Sequence, residues 1–135
     1  MGIRCRAGTT TRYSFGDAIT PDNANYADSG LGRTSEVGAY LANLWGLHDV
    51  HGNVWEWVAD DWHENYQGAP TDGSAWKDAG AGANPRFCVL RGGSWYDLSW
   101  LCRSAYRYWL DADLRLNLFG FRVARTLSRR TPGRR

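Results

Sequence analysis

Residues 91–122 read RGGSWYDLSWLCRSAYRYWLDADLRLNLFGFR, and this stretch is the most informative part of the chain. Glycines, small residues and arginines recur through it, which is typical of a rigid frame built from turns. Large apolar residues lie between them, but their spacing follows neither the helical nor the strand period. They cannot all point into one core, so we expect some of them to face outward.

The composition is that of one globular domain. The chain has 135 residues, of which 43% are hydrophobic and 22% charged, enough to bury a core without metals or many disulfides. Eight Trp and seven Tyr are an unusual number. Aromatic side chains are favoured anchors of binding surfaces, and we expect about half of these to pack in the core and the rest to be available for contacts.

Positive charge is concentrated at the C-terminal end of the chain. Five of the sixteen basic residues lie in the last eleven positions, and elsewhere the basic residues are outnumbered by fourteen acidic ones. We therefore expect no nucleic-acid-binding face on the folded domain, 4–125, and a basic, disordered tail at 126–135. No apolar run is long enough to span a membrane, and residues 1–20 lack the apolar core of a signal peptide.

Turn residues and apolar runs alternate along the chain in short units. Residues 9–34 and 63–85 are rich in turn-forming residues and are predicted to be loops. Short strands are predicted at 12–15, 54–58, 87–90 and 119–124. In the second of these, Val54, Glu56 and Val58 would face one way and Trp55 and Trp57 the other. The pattern indicates an α+β or loop-rich β fold.

Four separated motifs resemble those of a known protein family. GLHDVHGNVWEWVADDW at 46–62, RGGSW at 91–95, RSAYR at 103–107 and GFRVAR at 120–125 resemble the formylglycine-generating enzyme (sulfatase-modifying factor) family. The resemblance implies an α+β, C-type lectin-like fold over 4–125, loop-rich with short strands. Because RCRAGTTTRYSFGD at 4–17 resembles a mid-domain segment, it also implies that the N-terminal part of the family domain is missing or reduced.

Enzymes of this family oxidise a substrate cysteine with copper held by two cysteines just after the GGS motif. Thiolates suit soft Cu(I), so the chemistry depends on both. In this chain, residues 95–102 contain only Cys102. We therefore expect no copper and no catalytic activity; a formylglycine-generating-type oxidase, or a pseudoenzyme subunit of that family, is the alternative. Ser94 has no adjacent base, and its hydroxyl is expected to order the turn.

The resemblance also implies a disulfide between Cys5 and Cys102, which would leave Cys88 as an odd, buried thiol. The alternative is that all three cysteines are free buried thiols in a reducing compartment. The chain would be secreted or displayed on a surface if the disulfide forms. The sequence does not otherwise indicate its compartment.

A calcium site is implied at the 46–62 motif. Its ligands would be the side chains of Asp49 and Glu56 and the main-chain carbonyls of Gly52 and Val54, and hard oxygen ligands suit this ion. The alternative is that Glu56 is a buried carboxylate paired with a frame arginine. The three histidines of the chain, His48, His51 and His63, are interpreted as polar loop residues because no third nitrogen or sulfur ligand lies near them in sequence.

The apolar residues of 91–122 resemble those of another group that shares this frame, the variable proteins of diversity-generating retroelements. In these proteins adenine-specific mutation turns template asparagine codons into many residue types. Most of the apolar positions here are reachable from asparagine in that way; Trp100 and Trp109 are not. We name the following set the variable positions: Tyr96, Asp97, Leu98, Trp100, Leu101, Tyr106, Tyr108, Trp109, Leu110, Leu114, Leu116, Asn117 and Leu118.

This comparison predicts a binding protein that displays the variable positions on a rigid scaffold. The expected ligand is an unidentified macromolecule, most simply a protein, since Tyr and Trp give large contact areas at low rotamer cost. Sugar binding would rest on fold analogy alone. A relative whose apolar surface packs permanently on a partner subunit is the remaining alternative, and the oligomeric state stays open.

Overall fold

The computed structural model describes residues 5–78 and 87–124. Four strands form a single sheet in the order β3-β2-β1-β4. They are β1 (Trp55–Asp61), β2 (Phe87–Arg91), β3 (Tyr108–Asp111) and β4 (Phe119–Phe121), and two 3₁₀ helices, η1 (Ala27–Ser29) and η2 (Ser99–Cys102), accompany them. Loops and turns make up most of the remaining described chain, which agrees with the predicted α+β, loop-rich architecture.

The central strand β1 begins one residue later than predicted. It pairs with β2 in the antiparallel direction and with β4 in the parallel direction. Trp55 and Glu56 are both buried although they are adjacent, because side chains of successive residues enter opposite faces and both faces are covered here. The pairing of β1 with β2 shifts its register between Trp57 and Asp61, so the ladder is irregular there.

The other strand predictions fare differently. Residues 87–90 form β2 together with Arg91, whereas the predicted strand at 119–124 ends at Phe121. At 12–15 only an isolated bridge between Tyr13 and Gly16 forms. The described part of the predicted 63–85 loop contains no strand. Strand β3 was not predicted, because its sequence YWLD does not alternate between polar and apolar residues and becomes extended by pairing with β2.

Loops from the first half of the chain supply much of the core. Tyr13, Ala24 and Tyr26 pack with Cys102 in one buried cluster. Within the described residues no helix is long and apolar enough to cross a membrane. The predicted basic tail at 126–135 lies outside the described residues.

Candidate functional site

Two arginines of 91–122 fold this stretch on itself through main-chain carbonyls. Nη2 of Arg91 donates to the carbonyl of Ser104 at 2.5 Å, and Nε of Arg103 donates to that of Trp100 at 2.8 Å. Hydrogen bonds from a charged guanidinium are stronger than those between neutral groups. The arginines therefore act as the frame that the sequence predicts.

Arg107 joins the same stretch to the loop that follows β1. Its guanidinium carbon lies 4.6 Å from the ring centroid of Trp62 and 4.4 Å from that of Tyr66. Its Nη1 and Nη2 atoms donate to the carbonyls of His63 and Glu64 at 3.0 and 3.3 Å. This clamp was not predicted, since no local pattern links Arg107 to residues more than forty positions away.

The turn at Gly93 and Ser94 is held by close packing and by a carboxylate. Gly93 has φ +75°, and a Cβ atom there would lie 2.6 Å from Sγ of Cys102, so only glycine fits. The Ser94 amide donates to Oδ2 of Asp97 at 2.9 Å, and the Ser94 hydroxyl donates to the same oxygen. Ser94 thus orders the turn as expected, and the Asp97 carboxylate is used by the scaffold.

None of the thirteen variable positions is buried. Five are half-buried: Asp97, Leu101, Tyr106, Leu110 and Leu118. The other eight are exposed. Seven of them have large side chains that keep between 38% and 70% of their surface accessible: Tyr96, Leu98, Trp100, Tyr108, Trp109, Leu114 and Leu116. The eighth is Asn117. The structure therefore confirms that apolar residues of this stretch face outward.

Three of the variable positions form an aromatic cluster over the sheet. The ring of Tyr106 lies 5.5 Å from that of Trp100 and 6.0 Å from that of Trp55, which itself is 5.6 Å from Tyr108. Trp55 is only 4% exposed and belongs to β1. A rigid, buried ring thus supports two partly exposed tyrosines, and sequence reasoning did not identify this support.

Trp109 does not belong to that cluster. Adjacent residues of a strand point to opposite faces, so Trp109 lies across β3 from Tyr108. Its ring packs edge-to-face on Phe87 at 4.7 Å and lies 5.9 Å from Trp62. The variable positions therefore do not all share one face, and Trp109 packs against aromatic residues outside the variable set.

A groove opens where the end of the variable stretch meets β1 and β4. Its volume is about 460 Å³, and Leu114 and Leu116 line it together with Trp57, Phe119 and Phe121. The Arg115 side chain also borders it, while its Nη1 donates to the Ala112 and Leu114 carbonyls. The groove joins variable and scaffold residues in one apolar depression.

The three cysteines are free and buried, so the structure differs from the predicted Cys5–Cys102 disulfide. Sγ of Cys5 lies 3.6 Å from Nε2 of His51 and 3.6 Å from Oγ of Ser104. Burial raises the pKa of the Cys5 thiol, and burial together with the nearby Asp97 raises that of Cys102 to about 12. Both thiols are protonated at neutral pH, which matches the alternative of free buried thiols.

His51 lies in a loop, as interpreted from the sequence, but it is buried there, with only 3% of its surface exposed. Its Nδ1 lies 2.8 Å from the carbonyl of Cys102, and its Nε2 accepts the Ser14 amide at 2.9 Å. These partners require a proton on Nδ1 and none on Nε2. Burial, with a smaller effect of Arg6, lowers the pKa of His51 to about 4. The imidazole is therefore neutral and structural.

We expect the chain to become less stable as the pH falls through the range between the ordinary pKa of histidine and the lower folded-state pKa of His51. The folded-state pKa of about 4 is below the ordinary 6.5, so the unfolded state binds the proton more readily between these values. The free energy of unfolding should drop by roughly 2 kcal/mol between pH 7.5 and pH 5. Urea titrations followed by tryptophan fluorescence at both pH values measure this change. An equally steep pH dependence in His51→Gln would contradict the assignment to this residue.

The predicted calcium ligands fit the ion only in part. Asp49, Val54 and Glu56 line one cavity of about 500 Å³, and Oδ1 of Asp49 is buried without a hydrogen-bond partner, as an oxygen awaiting a cation would be. Both oxygens of Glu56, however, pair with Arg122, at 2.5 and 2.7 Å. This is the alternative arrangement, a buried carboxylate with a frame arginine. Calcium stays a prediction that calorimetric titration of the chain would test.

Among the described residues, no group of three or more His, Cys, Asp or Glu side chains is arranged to hold a metal ion. Asp49 and Glu56, the two carboxylates of the cavity, do not form such a group. Cys5 and His51 are in contact, but no third side chain of these types joins them in the described chain.

Comparison with known proteins agrees with the motifs. The family model of the sulfatase-modifying factor enzyme 1-like domain matches residues 2–127. The serine/threonine-protein kinase pkn1 of Chlamydia caviae is 33% identical over 123 residues, which are 90% of this chain and 19% of the kinase. The formylglycine-generating enzyme of Streptomyces coelicolor is 33% identical over 109 residues, 70% of this chain and 32% of that enzyme. The hercynine oxygenase of Mycolicibacterium thermoresistibile is 34% identical over 131 residues, 92% of this chain and 29% of the oxygenase. The chain thus spans less than a third of each.

Two solved structures share the fold. PvdO from Pseudomonas aeruginosa superposes with a TM-score of 0.79 at 35% identity, covering 89% of this chain and 47% of PvdO. Treponema denticola variable protein 1 superposes with a TM-score of 0.68 at 29% identity, covering 89% of this chain and 42% of that protein. These matches confirm the predicted C-type lectin-like fold and the resemblance to variable proteins. The chain belongs to the sulfatase-modifying factor enzyme 1-like family.

Proposed function

We propose that this chain is a non-catalytic binding module that uses its variable positions to hold a protein ligand. The exposure of the variable stretch carries the proposal: none of the thirteen positions is buried, although the arginines between them are fastened to main-chain carbonyls. A fixed backbone that displays accessible side chains loses little conformational entropy when it binds. Such a surface is suited to recognition.

The residue types at the surface favour a protein as the ligand. Tyr96, Trp100 and Tyr108 combine large contact area with few rotatable bonds, and aromatic residues dominate the energetics of protein interfaces. Tyr106 and Tyr108 rest on the buried Trp55, so their rings are oriented before a ligand arrives. The apolar groove beside Leu114 and Leu116 could accept an apolar side chain of the partner.

The likeness to a variable protein of Treponema denticola supports the proposal that these positions are diversified. Nine of the thirteen are Tyr or Leu on an exposed or half-buried surface, where packing alone does not demand them. Sequencing the DNA around the coding region tests this step. We expect a second copy of the 96–118 coding segment with asparagine codons at the variable positions, beside a reverse transcriptase. A neighbourhood without such a copy would count against diversification.

The absence of catalysis is part of the proposal, because the family includes enzymes. The thiol pair that the oxidase chemistry needs after the GGS motif is reduced to Cys102. That thiol is fully buried, and its pKa is raised to about 12, so almost none of it is thiolate near neutral pH. Copper-dependent oxidation of a cysteine-containing peptide by the purified chain would refute this part.

We expect alanine substitutions at Tyr96, Leu98 and Tyr108 to weaken ligand binding by about tenfold each, since central interface anchors contribute about 1.4 kcal/mol or more. The chain would first be screened against a panel of purified proteins, and each dissociation constant measured by biolayer interferometry. Leu41→Ala is the matched control, because Leu41 is 95% exposed and lies outside the variable stretch. Equal losses in the control and the three variants would show that the variable positions do not form the binding surface.

A further inference from the structure

Tyr96 is the most exposed of the large side chains among the variable positions. It keeps 70% of its surface accessible, and its ring meets that of the neighbouring Trp95 edge-to-face at 5.7 Å. A side chain this exposed has few neighbours to hold it in place. The direction in which Tyr96 points therefore depends mainly on the conformation of the main chain that carries it.

This main chain forms a tight turn from Ser94 to Asp97. The Asp97 amide donates to the Ser94 carbonyl at 3.1 Å, which closes a β-turn with Tyr96 as its third residue. The Ala27 amide donates to the Asp97 carbonyl at 3.0 Å, so a segment far away in sequence holds the end of the turn. The turn is thus anchored to the scaffold at the residue that follows the exposed tyrosine.

The side chain of Asp97 closes the same turn a second time. Its Oδ2 atom accepts the Ser94 amide at 2.9 Å and also accepts the Ser94 hydroxyl. The hydroxyl oxygen in turn accepts the Tyr96 amide at 3.3 Å. Ser94 is fully buried, and hydrogen bonds to an ionised acceptor are stronger than those between neutral groups. The carboxylate is therefore linked, through one buried hydroxyl, to the main chain of Tyr96.

We propose that Asp97 is a positioning residue, which fixes the direction in which Tyr96 is presented to the ligand, and that position 97 requires a hydrogen-bond acceptor. Asparagine, the residue expected in a template, carries a side-chain oxygen at the same distance from the main chain and would also close the turn. Apolar residue types have no acceptor and would release it. Position 97 is therefore less free to vary than Leu98 beside it, which is 54% exposed. This inference rests on the proposed function, in which Tyr96 contacts the ligand.

The first test needs no ligand and places fluorotyrosine at position 96 alone, so that its fluorine NMR resonance reports on the ring. We expect Asp97→Ala to move this resonance toward its position in the urea-unfolded chain, whereas Asp97→Asn should keep it close to that of the unchanged chain. Asp72→Ala is the matched control and should have no effect, because Asp72 also accepts a serine amide, that of Ser74 at 2.9 Å, but in an exposed loop outside the variable stretch. An unchanged resonance in Asp97→Ala would overturn the proposal.

Ser94→Ala covers the case in which Asp97→Ala does not fold. This change removes the hydroxyl that lies between the Asp97 carboxylate and the Tyr96 amide, but it leaves the main-chain amide of residue 94 to bind the carboxylate. The resonance should therefore move in the same direction as in Asp97→Ala, by a smaller amount. A resonance that stays in place would count against the proposal as well.

A double-variant cycle shows whether Asp97 acts through Tyr96. The probe is a peptide selected from a phage-displayed library that binds the chain and binds Tyr96→Ala measurably but more weakly. Asp97→Ala should weaken the binding of this peptide by about tenfold in the unchanged chain and by less than about twofold in Tyr96→Ala, because no tyrosine is left to position. Equal losses in both backgrounds would overturn the proposal. A library without any Tyr96-dependent peptide would count against the proposed function, while the fluorine resonance would still decide the role of Asp97.

Discussion

Gly52→Ala is expected to destabilise the chain strongly. Gly52 has φ +76°, and a Cβ atom there would lie 2.1 Å from the carbonyl oxygen of Asn25, a main-chain atom that cannot rotate away. Backbone strain and overpacking together should cost about 4 kcal/mol, a large part of the 5–15 kcal/mol typical of a domain. Urea unfolding monitored by tryptophan fluorescence measures the loss.

The loss of stability in Gly52→Ala arises at a contact between two segments that are distant in sequence. Asn25 and Gly52 form an isolated bridge, and the Asn53 amide donates to the same Asn25 oxygen at 2.7 Å. Gly30→Ala is the matched control, because Gly30 has φ +72° but nothing within 4 Å of its added Cβ. It should lose only about 1 kcal/mol, the strain of a positive φ in a residue with a side chain. Equal losses in both variants would show that the contact with Asn25 is not the cause.

Arg122→Gln is expected to lower the free energy of unfolding by about 2–3 kcal/mol. The guanidinium of Arg122 holds both oxygens of Glu56, whose side chain is 9% exposed. Removing one partner of a buried pair leaves an uncompensated charge, which costs about 3–5 kcal/mol. The Arg122 side chain is 34% exposed, so water can reach part of the site, and we place the loss at or below the lower limit of that range. Thermal and urea unfolding give the value.

A double variant separates charge from packing. Arg122→Gln combined with Glu56→Gln removes both charges, and it should be less destabilised than Arg122→Gln alone because no carboxylate is left unpaired. Arg115→Gln serves as the control, since Arg115 is exposed and contacts carbonyls of its own loop. It should change stability by less than about 0.5 kcal/mol. A double variant that is less stable than Arg122→Gln alone would contradict the ion-pair explanation.

Much of the frame could be predicted from local sequence. RGGSW predicts a turn because two adjacent glycines permit positive φ, and both adopt it, at +97° and +75°. The alternating residues before Asp61 predict β1, and the apolar run at 87–90 predicts β2. The apolar residues between Arg91 and Arg122 follow neither the helical nor the strand period, and this correctly predicts that some of their side chains face outward. Each of these depends on neighbours in the chain alone.

The predictions that failed involve partners far apart in sequence. The burial of His51 depends on contacts with Ser14, 37 residues before it, and Cys102, 51 residues after it. Strand β3 becomes extended only through its pairing with β2. The predicted disulfide came from a resemblance in motif, whereas in the structure the Cys5 thiol contacts an imidazole and a hydroxyl instead.

The sequence by itself determined the family, the turn frame of 91–122 and the lack of a thiol pair after GGS, because all three are written in short motifs whose residue types act locally. Only the tertiary structure decided which side chains the frame exposes. Trp55 lies behind Tyr106 and Tyr108, and Trp109 turns to the other face, because strand pairing sets the face and distant segments set the burial. Burial depends on how the whole chain packs, so no local sequence pattern predicts it.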